Sequence, residues 1–478
     1  MRQTFMAAAI AAAWATTGPA AAQTAELDQI RKDIQELRNS YESRIKALED
    51  KLKEAETAAS TAQDAANRAE TAAAEAKTTA ARAEPVAEPA ATLQPASKNA
   101  FNPSISLILN GTWGRYGEDP TTRITGFAPS GGEVMPPRGA SLGESELFLA
   151  ANIDPYFRGA LLAALTPENT VEVEEAYVET LALGHGFTVK GGRFFSGVGY
   201  FNQVHPHAWD FADPGLVQTA FLGRNYGDDG AQLRWVAPLP VLVQFGVELG
   251  RGREFPGAGE MERNRNGAES QVYFANVGGD IGVSSAYQVG ASHLRQRTAT
   301  DGAVFLDYDD ITGTSNVFQG RQRINGLNFV YKWSPDGNPQ YRNFKFVTEW
   351  FQRRYDGDFT FDTTGIAATD AMNAQQSGWY AQAVYQFMPY WRLGGRYDRL
   401  SHGSVGLNAN AANVTPPDFD PKRYSVMLDW NPSEFSRIRL QFNRDQSRQD
   451  PGTGQSITDN QLFLQYIFSL GAHGAHRF

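Results

Sequence analysis

From Phe101 to Phe478 apolar and polar positions alternate with a period of two, and no helical stripe runs through the segment. Leu147, Leu149, Ala151 and Ile153 interleave with Phe148, Ala150 and Asn152. Val241, Val243, Phe245, Val247 and Leu249 interleave with Leu242, Gln244, Gly246 and Glu248. Trp379, Ala381, Ala383, Tyr385 and Phe387 do the same against Tyr380, Gln382, Val384 and Gln386, as do Tyr424, Val426, Leu428 and Trp430 against Arg423, Ser425, Met427 and Asp429. One parity suits lipid and the other suits water, which is the pattern of a transmembrane β-barrel.

The connections predict the topology. Seven short turns recur, at Asp154-Pro155, Gly184-His185-Gly186, Pro238-Leu239-Pro240, Gly279-Asp280, Ser334-Pro335-Asp336-Gly337, Met388-Pro389-Tyr390 and Asn431-Pro432-Ser433. Eight mostly long polar loops lie between them, at about 116–140, 166–170, 196–229, 251–267, 295–320, 356–376, 401–421 and 446–458. Seven turns alternating with eight loops join sixteen antiparallel strands and leave both ends of the barrel on the turn side. In outer-membrane barrels that side is periplasmic.

Aromatic residues near strand ends (Tyr331, Trp333, Tyr390, Trp391 and Trp430) fit interfacial girdles. A soluble β-sandwich would instead need polar outer faces. The last strand keeps one parity from Leu462 to a terminal Phe478. A terminal Phe478 in phase with the lipid face resembles the assembly signal of outer-membrane barrels, which implies the barrel-assembly machinery as a partner.

A different period precedes the barrel. Leu27, Ile30, Ile34, Leu37, Tyr41, Ile45, Leu48 and Leu52 step by three and four, with a stutter between Tyr41 and Ile45, and an alanine seam continues to Ala83. This predicts an α-helical coiled coil over 23–83 on the periplasmic side, roughly 85 Å long if helical from Leu27 to Ala83. A solvated alanine-rich single helix or a disordered tail is the alternative, because an alanine seam buries little area. Arg2, the apolar run from Phe5 to Trp14 and the alanines at 20–22 predict a signal peptide over 1–22. Pro85, Pro89 and Pro95 mark a linker over 84–100, which leaves 101–478 for the barrel.

Composition adds exclusions. The 478 residues include no Cys, so disulfides and thiolate chemistry are out, and a net charge of -10 argues against nucleic acid as a partner. The mean hydropathy of -0.42 looks soluble, but a barrel gives the same average because only alternate strand residues face lipid. No apolar run is long enough for a spanning helix.

Val173-Glu174-Glu175-Ala176-Tyr177-Val178, Gly191-Gly192-Arg193-Phe194-Phe195-Ser196 and the ending Ser469-Leu470-Gly471-Ala472-His473-Gly474-Ala475-His476-Arg477-Phe478 resemble proteobacterial outer-membrane porins. The order of signal, coiled coil, linker and barrel is similar to the phosphate-selective porin O and P type. The resemblance implies a homotrimeric passive pore in outer-membrane lipid, with the third long loop folded into the lumen and basic residues guiding anions such as phosphate. That loop holds Tyr200, His205, His207, Trp209, Asp210, Phe211 and Asp213 but no dense lysine cluster. Displaying so apolar a loop in water would be costly, so it is expected to line a constriction.

Alternation places Arg392, Arg396, Arg423, Arg437 and Arg439 in the lumen on strands thirteen to fifteen, with Asp398, Asp429 and Asp445 among them. Glu144, Glu146, Glu172 and Glu174 line the opposite wall on strands two to four, with Glu175 and Glu179 supplying carboxylates for the other parity. Opposed charges of this kind could set up a transverse field that filters ions. Equally, they could pair with neighbouring strands and only keep the lumen hydrated. His205-Pro206-His207 beside Asp210 and Asp213 offers metal-ligand types, but a lone H-x-H around a proline favours loop packing. No metal and no cofactor are therefore expected. No Ser, His and Asp or Asn set has a recognisable catalytic context, so the chain reads as a non-enzyme. The rival function is a structural tether, in which the coiled coil reaches peptidoglycan and the barrel is the anchor.

Overall fold

The computed structural model describes residues 104–117, 124–128, 135–166, 170–253, 255, 266–297, 316–363, 365–450 and 452–471, together with Gln35 and Lys46. The chain divides into two compact units, Met1–Leu93 and Gln94–Phe478. In the first, Gln35 and Lys46 are helical. The signal peptide, every residue of the coiled-coil seam, the linker and Phe478 lie outside the described residues.

The second unit is a closed antiparallel β-barrel. Its strands are β1 (Ser104–Arg115), β2 in two pieces (Gly139–Leu142 and Ser145–Asn152), β3 (Phe157–Leu165), β4 (Val171–Thr180), β5 (Phe187–Phe195), β6 (Gly227–Val236), β7 (Leu242–Gly250) and β8 (Ser270–Ile281). The second half comprises β9 (Ser285–Arg297), β10 (Val317–Trp333), β11 (Asn343–Phe361), β12 (Ala368–Met388), β13 (Trp391–Gly406), β14 (Lys422–Ser433), β15 (Ser436–Gln449) and β16 (Ser456–Gly471). Both pieces of β2 pair with β1, so they form one crossing interrupted at Gly143 and Glu144. Each strand pairs with its sequence neighbours, and β1 closes the ring on β16 from Ser106 opposite Gly471 to Arg115 opposite Leu462. The barrel therefore has sixteen strands, and closure leaves no sheet edge to satisfy in lipid.

Burial runs opposite to that of a soluble protein. Leu440 and Phe442 on β15 are 47% and 46% exposed, while the intervening Arg439, Gln441 and Asn443 are fully buried. Leu147, Val241, Phe245, Leu249, Trp379, Tyr385, Val426 and Leu464 also point outward. Trp391 stacks on Trp430 across β13 and β14 beside the short turns, as an interfacial girdle requires.

Several boundaries differ from the sequence reading. Strand β8 continues through Gly279 and Asp280, which pair with Tyr287 and Ala286, and the turn falls at 282–284 where Gly282 adopts φ +65°. Strand β14 likewise runs through Pro432 to Ser433. The expected loop at 356–376 is mostly strand, since β11 and β12 pair from Asn343 opposite Gln386 to Phe361 opposite Ala368. At 19 and 21 residues these strands exceed the roughly 10 needed to cross a bilayer. Their polar ends stand clear of lipid, where outward side chains no longer have to be apolar, so hydropathy there resembles a loop.

Candidate functional site

The third long loop, 196–226, lies inside the barrel and carries a seven-residue helix α1 (Leu216–Leu222) in which every residue is buried. Val217, Ala220, Phe221 and Leu222 pack against inward residues Val272, Leu294, Ile324, Phe351, Tyr380 and Leu400 of the wall. The inner face is thus not uniformly polar: it holds an apolar patch matched to the loop. Phe127 from the first loop meets Phe221 edge-on at 6.0 Å and adds to the same cluster.

Backbone polar groups of the loop are satisfied by the wall. Glu349 of β11 accepts the amides of Tyr200 at 2.6 Å and Phe201 at 3.2 Å, and the Tyr380 hydroxyl at 2.7 Å. This approach depends on Gly199, at φ +73°, where a Cβ would sit 2.6 Å from a Glu349 oxygen. At the two ends of α1, Asp398 accepts the Leu216 amide at 3.0 Å and Arg353 donates to the Ala220 carbonyl at 2.8 Å. Glu248 receives Ser196 Oγ at 2.6 Å and the Gly197 amide at 2.8 Å.

Charges then tie the loop to both sides. Toward β11 and β13–β15 it presents carboxylates: Asp210 meets Lys345 Nζ at 3.0 Å and Arg392 at 3.1 Å. Asp213 meets Arg396 at 2.9 Å and Arg423 at 2.8 Å, and also accepts from Gln441 and Asn443. Burial pushes both carboxyls up, but these cations more than reverse it and hold Asp210 and Asp213 below the usual carboxylate range. Arg437 and Arg439 donate to the carbonyl of Trp209 at 3.2 and 2.8 Å. Neighbouring strands share the load, as Arg392 pairs with Asp429, Arg423 with Asp445 and Arg439 with Asp429, while Arg396 pairs with Asp398 along β13 itself.

Toward β2 and β4 the loop presents cations and imidazoles. Arg224 pairs with Glu144 at 2.5 Å, and His207 Nδ1 lies 2.8 Å from Glu146. His205 Nε2 is 3.2 Å from Glu175 and its Nδ1 is 3.9 Å from Glu174. Burial disfavours the His205 cation, but Glu174, Glu175 and Glu146 outweigh it and raise His205 well above the usual histidine range. Both Glu174 and Glu175 reach the loop because the β3–β4 register slips between Leu162 and Ala163, a bulge that re-aims one carboxylate. Glu172, at the loop end of β4, is exposed and stands apart from this cluster.

Sequence reasoning missed Glu349, Lys345, Glu248 and Arg224. The inward parity of Glu349 among Val347, Phe351 and Arg353 was a readable signal; the partners were not.

A family model described as "Putative beta-barrel porin-2, OmpL-like" matches residues 146–473. The chain belongs to this porin family. An uncharacterized protein of Aquifex aeolicus (strain VF5) is 33% identical to the porin over 410 residues, covering 81% of this chain and 82% of that one. Among solved structures, the porin is similar to a loop L8 deletion mutant of OmpT, an outer membrane protein of Vibrio cholerae, with TM-score 0.47 and 10% identity, covering 78% of this chain and 100% of that one. It is also similar to the outer membrane channel DcaP of Acinetobacter baumannii, with TM-score 0.46 and 12% identity, covering 78% and 99%. The porin is an outer-membrane β-barrel channel whose third loop is clamped within the lumen.

Proposed function

We propose that this porin passes small hydrophilic solutes and ions by passive diffusion, with its third loop setting the aperture. The observation that carries this reading is the loop itself, docked in the lumen by carboxylates against one wall and by cations against the other. A sixteen-strand barrel without such a loop would hold a wide aqueous channel. A cleft of about 80 Å³ remains on the side of β1, β2 and β16, bordered by Asn110, Thr112, Glu144, Trp209, Arg224 and Gln465. Met135, Pro136, Pro206 and Pro214 add apolar surface to that border, and its charged residues, Glu144 and Arg224, are paired with each other.

The arginines of β13–β15 are matched by Asp210, Asp213, Asp429 and Asp445. This favours weak ion selectivity over dedicated phosphate capture, because a guanidinium already neutralised gives a free anion little to gain. It also favours direct pairing over a field across an open gap. In lipid we propose a homotrimer, on the resemblance of the 173–178 and 191–196 segments to phosphate-selective porins. The chain order we propose is a signal peptide over 1–22, a periplasmic coiled coil over 23–83, a linker over 84–100 and the barrel. No catalysis is assigned.

Planar-bilayer recording in asymmetric salt tests this. We expect steady conductance with a small reversal potential. Folded protein that fails to conduct would sink the pore reading, and a large anion-directed potential would overturn weak selectivity.

A second reading rests on the three-and-four seam from Leu27 to Ala83, in which the coil tethers the barrel to peptidoglycan.

A further inference from the structure

Glu146 of β2, Glu174 of β4 and His205 of the third loop each bring one ligand-type atom within 4.8 Å of the others. His205 Nδ1 and Glu174 Oε2 are 3.9 Å apart, and both atoms are shielded from solvent without a hydrogen-bond partner. Buried polar atoms left open in this way call for an occupant.

The surrounding contacts orient them. His205 Nε2 faces Glu175 at 3.2 Å, and Glu175 accepts the Phe195 amide at 3.1 Å. A carboxylate on the second ring nitrogen is how metal-ligating histidines are aimed, since it leaves the first nitrogen directed at the ion. The Glu146 carboxylate is fixed in turn by His207 Nδ1 at 2.8 Å, and the two imidazoles stack with planes 8° apart.

We infer that Glu146, Glu174 and His205 form a site for a divalent transition cation of the zinc class, which ties the third loop to β2 and β4. One imidazole and two carboxylates make the donor set of zinc rather than of calcium or magnesium, which take oxygen alone and more of it. Three protein ligands leave the fourth position to a water from the lumen. Donors on a common zinc at about 2.0–2.2 Å can be no more than about 4.4 Å apart, so three atoms that already lie within 4.8 Å of one another need only a small side-chain adjustment to close on one ion. The site stands on these atoms alone and does not depend on conduction.

The test uses tag-free, full-length protein in detergent, stripped with a chelator and titrated calorimetrically with zinc chloride. One zinc per chain is expected, with affinity weakened at least about tenfold by Glu174→Gln and by His205→Ala. His402→Ala, at a separate histidine of β13 paired with Asp418 and Asp420, should change nothing. Heat-modified gel mobility shows whether each variant barrel is folded. X-ray absorption at the zinc edge of the wild-type protein needs no variant and should show one imidazole with oxygen neighbours. No stoichiometric uptake, equal affinity in Glu174→Gln, a loss that follows His402→Ala, or two imidazoles on the metal would each overturn the inference.

Discussion

Asp213 concentrates the logic of the lumen at one residue. Its carboxylate is fully buried between Arg396 and Arg423 and accepts from Gln441 and Asn443 as well. Breaking a buried pair by removing one partner costs about 3–5 kcal/mol, because the charge left behind has no compensation. Asp213→Asn should therefore lower the thermal midpoint and raise conductance as the loop loosens. Acid should act in the same direction. The folded carboxyl titrates below its unfolded value near 4, so its contribution is fully present above that pH and is lost as pH falls through the lower folded value. Melting and conductance recorded from pH 8 down to pH 3 should stay flat to about pH 5 for this term and change only below about pH 4. A transition centred near neutrality would show that another group controls the loop.

At the scale of elements, the third loop is a plug held by apolar packing as well as charge. Phe221 is fully buried in α1, against Phe127 and Phe351 and beneath the Arg353 guanidinium at 5.1 Å. Truncating such a phenylalanine costs about 3–5 kcal/mol. Phe221→Ala should speed proteolytic cleavage within 196–226 while the barrel keeps its heat-modifiable mobility. Unchanged protection would mean that the ion pairs alone hold the loop. The backbone of each strand is paired on both sides around the ring without that plug.

For the whole molecule, closure of β1 on β16 makes the barrel self-contained within Gln94–Phe478. Deleting residues 29–83 is therefore expected to leave the conductance of each barrel unchanged. Native gels of the deletion would then report whether the coil holds several chains together, and electron tomography of cells whether it spaces the envelope. Loss of conductance from folded barrels would show that the coil is needed for the pore itself.

The outward faces of the strands, their number and the side on which the barrel ends lie were legible in the sequence, because lipid imposes alternation on every crossing independently of its neighbours. Leu147 to Ile153 and Tyr424 to Trp430 announce their faces by local pattern alone. So did the burial of the third loop, whose aromatic content is incompatible with display in water. Who pairs with whom was not legible. Asp213 meets Arg423 across 210 positions, and Glu174 turns inward only because the register slips at a bulge. Charge complementarity between a loop and two walls is a property of closure: the barrel sets the distances, and no local spacing encodes them.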